Sequence, residues 1–113
     1  MTLNIVTRAE LKNGSIIAIT VDSTKYSYID LDSISMTTLT DFETTGGVDT
    51  TNSKIIGAII VKGSTTLASG SNLTITGVKI KLKVASDDYY AVNVKAFYDL
   101  TTFKAYLADT TID

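Results

Sequence analysis

Three groups of residues in this chain have types and spacings that could do chemistry. Asp30 and Asp32 form a D-x-D on one strand face, close enough to share a hard cation such as Ca²⁺. Asp41, Glu43 and Asp49 gather in one polar stretch but lack the ligand spacing of an EF-hand. Lys79, Lys81 and Lys83 recur at every second position, a row able to meet phosphates or an acidic protein surface. Each group has a plainer explanation. A D-x-D at a strand end is ordinarily solvated. A lysine row on an open strand face keeps a sheet soluble and discourages edge-to-edge pairing. The chain holds one arginine and has a net charge of −2, which weighs against a nucleic-acid surface. Asp87-Asp88 is ordinary turn chemistry.

What is missing narrows the chemistry further. Without histidine or cysteine, neither Ser-His-Asp nor Cys-His nucleophile systems can be assembled. The common zinc sites and any disulfide framework go with them. Neither glycine-rich phosphate-binding motif occurs. A glycosidase-like pair of carboxylates has no positive support, and tryptophan, the usual glycan platform, is absent. We therefore expect no enzyme, no cofactor and no metal site. Asn13-Gly14-Ser15 and Asn72-Leu73-Thr74 match the glycosylation pattern. They carry little weight, because MTLNIVTRAELK lacks the apolar region of a secretion signal. The longest apolar run, IIGAIIV at Ile55–Val61, is too short to span a bilayer, so no membrane partner is expected.

The elements that position these residues read as strands. Threonine fills about one position in six, and Val, Ile and Tyr are frequent, a composition suited to pleated, half-buried surfaces. The organising stretch is Leu73 to Phe97. Val78, Ile80, Leu82 and Val84 alternate with Lys79, Lys81 and Lys83, a strict period of two. Tyr90, Val92, Val94 and Ala96 alternate with Ala91, Asn93, Lys95 and Phe97. The pattern predicts a hairpin turning at Ala85-Ser86-Asp87-Asp88, with Leu82 opposite either Val92 or Tyr90.

The remaining segments follow in chain order. Thr2–Val6 reads as a short strand. Thr7-Arg8-Ala9-Glu10 fits a capping box, which predicts a helical turn over Arg8–Lys12, closed by Asn13-Gly14. Ser15–Val21 and Tyr26–Leu31 read as strands, as does Ser33–Thr40, although Leu39 breaks its alternation. Asp41–Ser53 reads as a long exposed loop, an assembly arm in which Phe42 either pins the loop to the core or meets a partner. Lys54–Lys62 is apolar on both faces, the mark of a strand covered on two sides. Gly63–Asn72 is a second polar loop. Tyr98–Asp109 fits a helix capped by Asp99, with a stripe of Leu100, Phe103, Tyr106 and Leu107, and also fits a strand. The expected fold is all-β: one domain over 1–113, an antiparallel sandwich or barrel of about six to eight strands, with an N-terminal helical turn and a short C-terminal helix.

Hydrophobic residues make up 44% of the chain, charged residues only 19%, and mean hydropathy is +0.21. SIIAITV and KIIGAIIV both want cover on two faces, whereas a sandwich covers only the inner face of each sheet. The surplus points to docking surfaces. Phe42, Ile55, Ile56, Ile59, Ile60, Phe103 and Tyr106 are the candidate interface residues.

The leader MTLNIVTRAELKNG, the loops DFETTGGVDTTNS and GSTTLASGSN, and the missing Cys and His give the chain a whole-length likeness. In these features it resembles the small structural proteins of tailed-bacteriophage virions. The resemblance implies a β-sandwich or barrel repeated many times in a shell, collar or tail. It implies contacts with copies of itself and other structural proteins, and location in a virion made in the host cytoplasm. It assigns no role to an individual residue. The expected function is that of a non-enzymatic structural protein: a capsid decoration, head–tail or tail component, forming a homo-oligomer. The alternative is a small-ligand or glycan-binding module of an adhesin, with Tyr26, Tyr28, Tyr89 and Tyr90 as an aromatic patch.

Overall fold

The computed structural model describes residues 2–21, 26–46, 55–63, 66–82 and 92–108. Within these lie the strands β1 (Leu3–Val6), β2 (Ile16–Val21), β3 (Tyr26–Asp30), β4 (Ser35–Met36), β5 (Phe42–Gly46), β6 (Ile55–Val61), β7 (Asn72–Thr76), β8 (Lys79–Leu82) and β9 (Val92–Phe97). A helix, α1 (Leu100–Ala108), ends the series. The fold is mainly β and its ladders are antiparallel. One sheet has the order β5-β6-β2-β9, a second β1-β7-β4, and a third pairs β3 with β8. Among the described residues these sheets have open ends and form no closed barrel.

β2 and β6 divide their side chains between two cores. Ile17, Ile19 and Val21, with Ile59 and Val61, face the larger core. There they meet Leu73 and Ile75 of β7, Ile29 of β3, and Leu11, Leu31, Leu39, Leu67 and Val78 from the connections. Ile16, Ala18, Ile56 and Ala58 face the other way and lie under Phe103 and Tyr106 of α1. Fully burying an Ile or Phe side chain is worth about 1.5–3 kcal/mol. The second face of the sheet thus gains much from the helix that covers it.

Four expectations are corrected. The N-terminal helical turn does not form. Thr7 has the hydroxyl of a cap, but that hydroxyl donates to the Ala68 carbonyl at 2.8 Å and accepts from the Ser71 N–H at 2.9 Å. Leu11 exchanges backbone hydrogen bonds with Leu67 at 2.9 and 2.8 Å. Tertiary partners supply what the first turn of a helix would have supplied.

The hairpin does not form either. β8 pairs with β3, Ile80 opposite Ile29, and β9 pairs with β2, Val94 opposite Ile19. The apolar-to-apolar rule is obeyed, but with other strands. Ile80 and Val92 both pack against the larger core from their separate sheets.

The expected loop at Asp41–Ser53 begins with a strand. β5 pairs with β6 from Phe42 opposite Val61 to Gly46 opposite Gly57. Its threonines suit a strand as well as they suit a turn. Cutting out Thr44 to Thr51 would therefore remove sheet, not only an arm. The rest of that stretch lies outside the described residues.

In Ser33–Thr40 only Ser35–Met36 is strand. Thr38 takes φ 74°, a left-handed conformation that turns the chain and sends Leu39 into the core. Its hydroxyl donates to the Asn72 carbonyl at 2.7 Å, anchoring the turn to β7.

Candidate functional site

The apolar residues singled out from the sequence are held largely by the chain itself. Ile59 is buried in the larger core and Ile56 in the smaller one. Ile60 packs half-buried beside Ile56, and Phe42 packs half-buried against the larger core. Ile55 pairs with Val21 in the ladder, and its side chain lies outside the description. Phe103 and Tyr106 are each 7% exposed. They stack with Phe97 at centroid distances of 5.5 and 5.2 Å, in tilted geometries that suit aromatic quadrupoles. Lys95 Nζ lies 4.7 Å from the centre of the Tyr106 ring, where a cation is attracted to the π face.

Asp99 starts the helix beneath this cluster. Its carboxylate accepts from the Thr102 N–H at 2.8 Å and from the Thr102 hydroxyl at 3.0 Å. These bonds hold the carboxyl below its ordinary value of 3.8, the backbone bond contributing most.

Asp30 and Asp32 form a turn at the end of β3. The Asp32 N–H donates to Asp30 Oδ1 at 2.8 Å. That bond, then one from the Tyr28 hydroxyl, keeps the Asp30 carboxyl below 3.8, and the same contact with Asp30 raises the Tyr28 phenol above 10. Glu43 pairs with Lys62 at 3.5 Å on the surface. Among the described residues no group of three or more His, Cys, Asp or Glu could hold a metal ion. Lys79 and Lys81 are exposed on β8. Asp49, Lys83, Asp87, Asp88, Tyr89 and Tyr90 lie outside the described residues, as does the side chain of Tyr26.

The site that the structure adds is a groove. β1 ends one sheet and β9 ends another. Ile5 of β1 pairs with Leu73, and Ala96 of β9 pairs with Ile17. These two pairs line a cavity of about 340 Å³, together with Val6, Val94, Leu11 and the segment Thr7–Ala9. Its lining is mostly apolar, and among the described residues Arg8 is its one ionisable side chain. Two side chains at this side are left unusually open: Val6 at 61% and Val94 at 37% exposure.

No family model, curated protein or solved structure matches this chain. Among the described residues no helix is long and apolar enough to cross a membrane.

The groove was not visible in the sequence. Val94 belongs to the apolar row of β9, and alternation says only that it faces a core. Its exposure follows from β9 being the last strand of its sheet, which depends on strand order.

Proposed function

We propose that this chain is a non-enzymatic structural protein that works by docking to other proteins. In this reading the four-stranded sheet and the two smaller sheets close over the larger core as a sandwich, left open along the side between β1 and β9. The observation that carries it is the apolar groove on that side, flanked by the exposed Val6 and Val94. Apolar surface of this kind is retained where a partner covers it. The setting suggested by the sequence's likeness is a tailed-phage virion, where the partners are copies of the chain and other structural proteins. Native mass spectrometry and light scattering on the full chain, alone and with co-purifying proteins, test it. Stable homomeric or mixed assemblies are expected. A monomer that stays single at high concentration and in the presence of those proteins would overturn it.

The second reading is a binding module for a small apolar molecule. The groove volume falls within the range of small-ligand sites, about 300–1,000 Å³. Among the described residues no aromatic side chain lines it, which disfavours a glycan, since sugars stack on aromatic faces. A small molecule carried through purification, seen by native mass spectrometry, would favour this second reading.

A further inference from the structure

Resting on the docking reading, we propose that the groove between β1 and β9 receives an extended segment of a partner protein. The segment adds as a strand to the outer edge of β9. It turns alternate apolar side chains into the groove and sets a carboxylate against Arg8.

β9 is the last strand of its sheet, and no described strand lies beyond it. In an antiparallel ladder alternate residues turn their N–H and C=O away from the existing neighbour, so the outer edge of β9 is a template for one more strand. Cross-strand neighbours share a face. Residues of an added strand opposite Val94 and Ala96 therefore point to the same side as those two, into the groove above Ile17. An apolar side chain at every second position fits that geometry; a helix or a compact ligand does not use the edge. Charge fixes the remaining feature. Among the described residues of the lining Arg8 has no carboxylate beside it, so an acidic residue of the segment is the complementary choice. The opposite end of the same sheet offers less. At β5, Glu43 faces solvent paired with Lys62, and Phe42 packs on the chain's own core.

The test is titration of the isotopically labelled full chain with a synthetic peptide of alternating valine and threonine ending in glutamate. Chemical shifts and amide exchange are the readout. The expected result is slowed exchange on β9. Val94→Asp should weaken binding at least about tenfold, as loss of a central contact does. A peptide ending in lysine should bind more weakly, and one with proline at the pairing positions, which lacks the N–H, should not bind. Should Val94→Asp fail to fold, the exposed Arg8→Glu reads the charge requirement, with preference moving to the lysine peptide. Absence of protection on β9, protection on β5 instead, or equal binding of the proline peptide would overturn the inference. Self-association lost in Val94→Asp without any peptide binding would overturn it in favour of an interface between copies. A chain that assembles yet ignores every peptide leaves the docking reading standing and ends this one. A monomer that takes the peptide on β9 does the reverse.

Discussion

Thr7 ties the first strand to a turn more than sixty residues away. Its hydroxyl serves the Ala68 carbonyl and the Ser71 N–H, and its backbone bonds Ser71 and Gly70 at 2.9 and 2.7 Å. Thr7→Val keeps the shape and removes the hydroxyl, leaving a part-buried acceptor and donor unmet. Stability should fall by about 1–3 kcal/mol, read from the urea midpoint, with Thr7→Ser restoring most of it. Gly77 is a second point of this kind. It sits between β7 and β8 at φ 87°, and a Cβ there would lie 2.7 Å from the Ser33 carbonyl oxygen. Backbone cannot swing aside as a side chain can. Gly77→Ala should lower stability by about 1–3 kcal/mol in the same measurement. The sequence shows that Thr7 carries a hydroxyl suited to an orphan N–H. It does not show that the N–H belongs to Ser71, because a capping box and a long-range clasp use the same atoms.

Among the elements, α1 follows the helical of the two patterns that Tyr98–Asp109 fits. Asp99 caps it, and Phe103 and Tyr106 form its buried stripe, while Leu100, on the expected stripe, is 49% exposed. Phe103→Ala should cost about 3–5 kcal/mol and uncover the face of the sheet carrying Ile16 and Ala18. A lower denaturation midpoint and new binding of a hydrophobic dye would show both effects. The cap also makes the helix sensitive to acid. The Asp99 carboxyl is held below 3.8 in the folded chain, so its contribution is fully present above the unfolded value and is lost as pH falls through the folded one. Asp99→Asn keeps a hydrogen-bond acceptor but cannot titrate. Its helix signal should therefore lose less than the parent's as pH falls below about 4, followed by circular dichroism. The strands were legible in a different measure. At and just before β8, Val78 and Ile80 turn inward and Lys79 and Lys81 outward, as the period of two requires. Alternation names the face of a strand and leaves its neighbour open: Val21 satisfies Val92 as well as Leu82 would have done.

At the scale of the molecule, the apolar excess of β2 and β6 was legible as a need for cover on two sides. Its resolution was not, because it depends on α1 returning over the sheet from the far end of the chain. Val6 of β1 and Val94 of β9 remain uncovered beside the groove. β9 itself shields one edge of β2, every residue of which is buried. A chain ending at residue 90 would make β2 an outer strand and remove α1 with it. Such a truncation should pellet on centrifugation where the full chain stays in solution, since a long apolar edge recruits other chains.

The pairing of β2 with β9, and of β1 with β7, also sets a timetable. The strand at the heart of the larger sheet leaves the ribosome long before its neighbour on that side exists. The first strand waits for the seventh. Closing such wide loops costs entropy before any contact rewards it, so refolding should take milliseconds to seconds rather than microseconds. For most of its synthesis the nascent polypeptide carries Ile16–Val21 without a lid, and a cell making it in quantity must keep those half-finished copies apart.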